Sequence, residues 1–295
     1  MLQYVLECDI LTELEGAQLD FYNHVLRDKC GVMPPTLALQ MRSERENDLR
    51  LTYMTQVFEL RLIHNSILQQ VYSIARAYCR PEHIAEQVAT ITTRLQKWYE
   101  ALPQHDHFAQ SMETLTSADL RPDSRHHIAV RYHACHFFLN RPIFYYVTHQ
   151  DLEDAALAPR RDSAQGELRP LESWVYESCH RCLENATMAC TLINLMTGHY
   201  IGWGELQLTI SCCLMIILAR TNKKTVMISR RIRGVDLALQ SSIELLERVQ
   251  QTPHVRKARE ILRRASVVPP KKHLSNSSTM EAIRKQCEKR EFDQL

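Results

Sequence analysis

Residues 84–98, IAEQVATITTRLQKW, decide the fold that the sequence predicts. Apolar side chains recur there with spacings of four, three, four and three residues, at Ile84, Val88, Ile91, Leu95 and Trp98. This period matches one face of an α-helix, whereas a half-buried strand would alternate. Because proline fits only the first turn of a helix, we expect this helix to begin near Pro81 and to end before Pro103.

The same helical period recurs along most of the chain. Three further stripes are Ile67, Val71, Ile74 and Tyr78; Ile128, Tyr132, Cys135 and Leu139; and Val175, Cys179, Cys182, Ala186, Cys190 and Ile193. Later helices are expected over 203–220, 232–251 and 253–265. Pro142 should end or kink the helix that carries Tyr132, because its ring blocks a backbone hydrogen bond. With no alternating strand and no Asn-Gly or Asp-Gly turn, the sequence predicts an all-α fold.

The sequence also predicts where this fold is interrupted. The helix that carries Ile67 should span residues 47–79, and polar loops are expected at 104–122 and 150–172. Residues 267–295 open with Val-Val-Pro-Pro-Lys-Lys and continue with a Ser-rich stretch, which is typical of a flexible tail. We therefore expect one helical domain over residues 1–266, followed by a basic and polar tail over 267–295.

The composition argues against several classes of enzyme. Only 7 of the 295 residues are glycine, about a third of the usual proportion. The motifs GxGxxG, GxxxxGK[ST], GxSxG and HExxH are all missing from the sequence. We therefore expect that the chain is not an enzyme and that it binds no cofactor of its own.

Three features indicate an intracellular, soluble protein. Glu7 and Asp9 fall where a signal peptide would need an unbroken apolar run. The apolar stretch Leu206–Ala219 has 14 residues, whereas a membrane-spanning helix needs about 20. The 10 cysteines are then free thiols of a reducing compartment. No membrane partner is expected.

Charge is distributed unevenly along the chain. From Arg220 to the end there are 18 basic and 8 acidic residues, whereas the first 219 residues carry 18 basic and 26 acidic ones. An acidic body packing on a basic arm would explain this division, and so would a basic surface for an anionic partner. Two solvated faces of one helical domain would explain it equally well.

Four motifs occur in order along the chain. They are Glu7-Cys-Asp-Ile-Leu-Thr-Glu-Leu14; Leu95-Gln-Lys-Trp98 with Ala101-Leu102-Pro103; Val130-Arg131-Tyr132-His133 with Leu139-Asn140-Arg141-Pro142; and Cys182-Leu-Glu-Asn-Ala186 followed by Trp203. Together they resemble the regulatory, or middle homology, region of fungal zinc-cluster transcription factors. The resemblance covers residues 4–250, most of the chain. It makes nine residues signature or packing positions: Trp98, Pro103, Tyr132, His133, Arg141, Pro142, Cys182, Ala186 and Trp203.

The resemblance implies an all-α regulatory domain of a nuclear transcription regulator. Such a domain would act through dimerisation, as a homodimer or with a related transcription factor, or through contact with a DNA-bound partner. It could also respond to a small-molecule effector. Whether it activates or represses is not implied.

The chain departs from this family at two places. The six-cysteine cluster that holds two zinc ions and reads DNA in these factors has no counterpart here. We therefore expect no sequence-specific DNA binding by this chain alone, and zinc only if a missing N-terminal cluster exists, as in a truncated activator. The second departure is Asn185, which stands where the family has the first of two alanines.

Two groups of side chains resemble metal ligands. Cys179, Cys182 and Cys190 have the spacing C-x2-C-x7-C, but all three fall on one apolar stripe, which favours a place in the core. His133 and His136 lie about one helical turn apart, yet the sequence offers them no third ligand of fixed spacing. We expect both groups to be structural.

Four charged features have competing interpretations. Arg141 precedes a proline and could hydrogen-bond a freed carbonyl or a carboxylate of Asp151, Glu153 or Asp154. The acidic cluster 151–154 also raises the alternative of an all-α, terpenoid-synthase-like enzyme that binds magnesium, although a second metal motif is missing. Lys271-Lys272 could be half of a nuclear-import signal, on the evidence of two lysines alone. The basic helix after Pro253 could contact phosphates or simply be solvated.

Overall fold

The structure is a computed structural model that describes residues 44–72, 80–116, 119, 124–157, 172–196, 201–249 and 253–266. These residues are 83% helical and contain no strand, which confirms the predicted all-α fold. The first 43 residues, including the motif Glu7–Leu14, lie outside the described part of the chain. So does the predicted tail over 267–295.

Eight α-helices make up this part of the chain. They are α1 (Glu44–Val71), α2 (Ala85–Glu100), α3 (Ser124–Leu157), α4 (Ser173–Leu195), α5 (Trp203–Thr221), α6 (Val226–Arg231), α7 (Val235–Arg248) and α8 (Pro253–Ser266). Two 3-10 turns, Pro81–His83 and Gln104–Asp106, flank α2.

Helix α2 follows the sequence prediction closely. Its stripe from Val88 to Trp98 is buried, as is Ile84 just before it. Pro81 starts a 3-10 turn, where its missing N–H costs nothing, and the α-helix follows at Ala85. The helix ends at Glu100, and the next residue, Ala101, still donates its N–H to the carbonyl of Lys97. The chain then turns before Pro103, as expected.

Helix α3 differs from the prediction in two ways. It runs through Pro142 without ending there, and it continues to Leu157. Eight residues of the expected loop over 150–172, those from 150 to 157, are therefore helical, and Asp151–Asp154 are among them. Every residue from 128 to 140 is buried. A helix that is buried on all sides lies at the centre of a bundle.

Helices α1 and α7 also depart from their expected limits. Helix α1 begins at Glu44 and ends at Val71, and residues 73–79, with Ile74 and Tyr78, lie outside the described residues. The helix expected over 232–251 begins later, at Val235. Its N-cap, Gly234, has φ 78°, a left-handed conformation that favours glycine and separates α6 from α7.

The bundle is built around α3 and α4. Helix α3 packs against α1, α2, α4 and α5, and α4 packs against α3, α5, α6 and α7. Helix α8 closes one side by packing on α5 and α7. In α5, the window Gly204–Thr221 is long and apolar enough to cross a membrane, but 61% of it is buried inside the protein. Such burial is typical of a core helix, which agrees with the sequence interpretation.

Candidate functional site

Six of the predicted signature residues lie along α3 and at its contacts with α2 and α4. We call this set the signature core: Trp98, Tyr132, His133, Arg141, Cys182 and Ala186. They come from segments about 40 residues apart in the sequence. The cluster has an aromatic end at Trp98 and a polar end at Arg141.

Trp98 anchors α2 onto α3. It is buried, and its indole stacks on the ring of Tyr132, with ring centroids 5.9 Å apart and planes 25° apart. The indole N–H donates to Oε2 of Glu59 on α1 at 3.0 Å. One side chain therefore ties three helices together, which confirms the predicted burial of Trp98 and Tyr132. Such stacked pairs stabilise a fold beyond the apolar area they bury.

The loop after α2 completes this aromatic end. Tyr99 donates its hydroxyl to the carbonyl of Phe108 at 2.6 Å, and the Phe108 ring lies edge-on to Tyr132 at 5.4 Å. Pro103 is half-buried and caps the 3-10 turn over Gln104–Asp106. Burial raises the pKa of Tyr132 above its usual value of 10.0. The phenol is therefore neutral throughout the physiological range.

His133 is a buried connector between α3, α4 and the loop after α2. Its Nδ1 lies 2.8 Å from Oδ1 of Asn185, and its Nε2 lies 3.2 Å from the carbonyl oxygen of Ala109. The Asn185 amide NH2 donates to the carbonyl of Arg181, which leaves its oxygen for the histidine. Both of these oxygens are acceptors, so the one N–H of the neutral ring donates to Asn185 or to Ala109. Asn185, the departure from the family pattern, thus supplies an acceptor that alanine would lack.

His133 and His136 do not converge as metal ligands. Both nitrogens of His133 face oxygen atoms of Asn185 and Ala109, and Nδ1 of His136 is buried without a hydrogen-bond partner. Burial lowers the pKa of His133 to about 4. It lowers that of His136 to about 3, helped by the nearby His133 and Arg181. No group of three or more metal-ligating side chains is found among the described residues.

At the polar end of the cluster, side chains replace the backbone hydrogen bond that Pro142 removes. Proline at this position removes the N–H that would bond the carbonyl of Phe138, four residues earlier. The hydroxyl of Tyr72, at the end of α1, donates to that carbonyl at 2.7 Å. Nε of Arg141 in turn donates to the Tyr72 oxygen at 3.1 Å. A freed carbonyl is therefore satisfied from another helix, and α3 can continue.

Arg141 acts through this tyrosine. Its guanidinium carbon lies 5.2 Å from the ring centroids of Tyr72 and Phe138 and 5.9 Å from that of Phe137. The sequence predicted a bond from this arginine to a freed carbonyl or to a carboxylate. The structure instead inserts Tyr72 between the arginine and the carbonyl. The side chains of Asp151, Glu153 and Asp154 lie outside the described residues.

This arrangement makes a prediction about Tyr72. Tyr72→Phe should lower the unfolding free energy by about 1–3 kcal/mol, because the Phe138 carbonyl is left buried without a donor. In a Pro142→Ala background the restored backbone N–H can bond that carbonyl, so the same change should cost less. Urea unfolding of the two single variants and the double variant measures the difference. Equal costs in both backgrounds would contradict the role given to Tyr72.

The predicted thiol stripe on α4 lies in the core. Cys179, Cys182, Ala186 and Cys190 are all fully buried, and Sγ of Cys182 lies 3.9 Å from the carbonyl of Phe137. Burial raises the pKa of Cys179 to about 12 and that of Cys182 well above its usual 9.0. Cys179 and Cys182 are therefore protonated and act as small apolar side chains.

The sequence analysis missed two residues of the site, and the side chain of one predicted residue lies outside the described part of the chain. Sequence reasoning singled out neither Tyr72 nor Glu59, both of which hydrogen-bond the predicted cluster. A proline within a helical stripe indicates that the carbonyl four residues earlier needs another hydrogen-bond donor. It does not indicate which residue supplies that donor. Trp203 begins α5, and its side chain is not among those described.

Taken chemically, the signature core is a set of packing anchors and buried hydrogen bonds. Its titratable groups, Tyr132, His133 and Cys182, are held neutral by burial. The arrangement can fix how α1, α2, α3 and α4 are placed relative to one another. No family model, curated protein or solved structure matches this chain.

Proposed function

We propose that this chain is a transcription regulator, the regulatory and effector-sensing part of a fungal zinc-cluster transcription factor. The observation that carries the proposal is that motifs distant in the sequence contact one another. The Trp98–Tyr132 stack joins the second motif to the third, and the His133–Asn185 contact joins the third to the fourth. A common packing role would explain why these motifs occur together in the family that the chain resembles. The all-α fold is also the one that the resemblance implies.

The mechanism we propose is interaction rather than chemistry. The chain would act in the nucleus by dimerising, with itself or with a related factor, or by contacting a DNA-bound partner. A basic stretch on its surface suits an acidic partner: five cations and no carboxylate lie between Asn222 and Gly234. Within it, Met227 and Arg230 are exposed. Complementary charge of this kind speeds association and selects partners.

A tethering experiment tests this function. The full chain, fused to an unrelated DNA-binding domain, should raise or lower transcription of a reporter that carries the matching sites. Trp98→Ala should abolish the effect by loosening the signature core, whereas the exposed change His105→Gln should leave the reporter output unchanged. Reporter output identical to that of the DNA-binding domain alone, with the fusion present and folded, would refute the proposal.

Helix α8 bears on DNA binding. It exposes Arg256 and Lys257, while Arg263 pairs with Glu247 and Arg264 with Glu260. Val255 and Leu262 are buried, so one face of the helix packs on the bundle. Ile261 on the neighbouring face is 47% exposed. Two of the cations are therefore partly neutralised within the chain.

We predict that the isolated chain binds duplex DNA weakly and without sequence preference. Phosphate contacts position a protein, whereas specificity needs side chains aimed at base edges. Affinity should fall steeply between 50 and 200 mM salt, with a log–log slope of about −0.9 for each phosphate contacted. Fluorescence anisotropy with unrelated duplexes measures both properties. A binding-site selection that returns one enriched motif would overturn the prediction and direct attention to α8.

A further inference from the structure

A basic surface surrounds the short helix α6. Its exposed cations are Lys223, Arg230, Arg231 and Arg233. Met227 is 52% exposed among them, and Nη1 of Arg230 lies 3.8 Å from its sulfur. Nη1 of Arg231 donates to the hydroxyl of Tyr176 at 2.9 Å. The basic surface therefore combines positive charge with a flexible apolar side chain that solvent reaches.

Carboxylates close to the basic surface are paired with other cations. Asp236, at the start of α7, lies 3.2 Å from Arg220. On α4, which packs against α6, Glu177 lies 2.9 Å from Arg181. None of the four cations of the basic surface forms an ion pair in the part of the chain that the structure describes. Their charge is therefore left to attract an anionic group.

The sequence contains an anionic segment of matching character. Residues 7–20, ECDILTELEGAQLD, carry five carboxylates and no lysine or arginine. Ile10, Leu11 and Leu14 lie among those carboxylates. The segment thus alternates negative charge with apolar side chains, as the basic surface alternates positive charge with Met227. On α8, by contrast, two of the cations already pair with carboxylates of the chain.

We propose that residues 7–20 dock on the basic surface of α6 within the same molecule. Their carboxylates would pair with Lys223, Arg230 and Arg233, and their apolar side chains would cover Met227. The 23 residues from 21 to 43 span up to about 75 Å when extended. A domain of the described size has a radius of gyration of about 16 Å, so the segment can reach α6.

This docking does not depend on the function proposed above. A docked segment would, however, exclude an acidic partner from the basic surface, so the two anions would compete for it. The experiment below detects the docking without any measurement of transcription, so either proposal can fail alone.

Carbodiimide cross-linking of the full chain tests the docking. The reagent joins a carboxylate to a lysine amine where the two are in contact, and mass spectrometry of the digested monomer identifies the joined peptides. Residues 7–20 should be linked to Lys223 in preference to Lys257, which is exposed on α8. The link should weaken at about 0.5 M salt, because exposed charges are then screened.

Three results would overturn the proposal. They are no link to Lys223, equal links to Lys223 and Lys257, and a link found only in cross-linked dimers. The last result would make a second copy of the chain the occupant of the basic surface.

Variants locate the contact. Arg230→Gln and Arg233→Gln leave the amine of Lys223 in place, and each should lower the yield of its link by up to about fivefold. Arg256→Gln removes an exposed arginine on α8 and should leave the yield unchanged. All three changes are exposed, so the circular dichroism spectrum should remain that of the wild type. An unchanged yield when Arg230→Gln and Arg233→Gln are combined would refute docking on this surface.

Discussion

Trp98→Ala should lower the free energy of unfolding by about 3–5 kcal/mol. The change removes a buried indole that stacks on Tyr132, and it breaks the bond to Glu59 that holds α2 to α1. A cavity would remain at the junction of three helices. The melting temperature should drop by roughly 6–20 °C, which differential scanning calorimetry can measure.

A matched variant separates packing from hydrogen bonding at this position. Trp98→Phe keeps an aromatic ring against Tyr132 but loses the N–H donor to Glu59. Because Glu59 is exposed and can bond water instead, this change should cost clearly less than Trp98→Ala. An unchanged melting temperature for Trp98→Ala would show that this tryptophan is not an anchor.

The second large effect is acid sensitivity. Burial lowers the pKa of His133 to about 4 and the pKa values of His64 and His136 to about 3, from 6.5 in the unfolded chain. As the pH falls below 6.5, the unfolded state takes up protons that the folded state resists. Stability is therefore complete above pH 6.5 and is lost toward pH 4. With about 1.4 kcal/mol per pH unit for each histidine, the loss reaches about 4 kcal/mol per unit.

Urea unfolding at a series of pH values checks this expectation. Since a domain has about 5–15 kcal/mol of stability in total, the fold should be lost near pH 4–5. His133→Gln should reduce the slope by about a third, because one of the three protons is gone. His105→Gln is the matched control, since that side chain is 71% exposed. Stability that stays constant between pH 7 and 5 would contradict the burial of neutral histidines.

The sequence predicted where helices form better than it predicted the contacts between them. The stripe from Ile84 to Trp98 predicted α2 and its buried face because period and proline positions are local signals. The continuation of α3 past Pro142 could not be predicted in this way. It depends on Tyr72, which lies 66 residues from the carbonyl that it bonds. Only the assembled bundle brings that donor to the break.

At two other places where the structure differs from the sequence prediction, the local sequence contained a signal for the observed conformation. Gly234 separates α6 from α7 by taking a positive φ, a conformation that glycine alone adopts freely. Five of the seven residues from Asp151 to Leu157 are Leu, Ala or Glu, which favour helix. In the candidate site, His133 and Asn185 looked like polar residues on unrelated helices, and only packing makes them partners.

The unbroken burial of residues 128–140 has a consequence for backbone dynamics. No face of this part of α3 is exposed to solvent. Its amide hydrogens can therefore exchange with deuterium only when the surrounding helices also open. Their exchange should require global unfolding and report its full free energy, whereas the exposed turns of α2 and α8 open by local fraying. The slowest-exchanging amides of the described chain should therefore cluster just before Pro142.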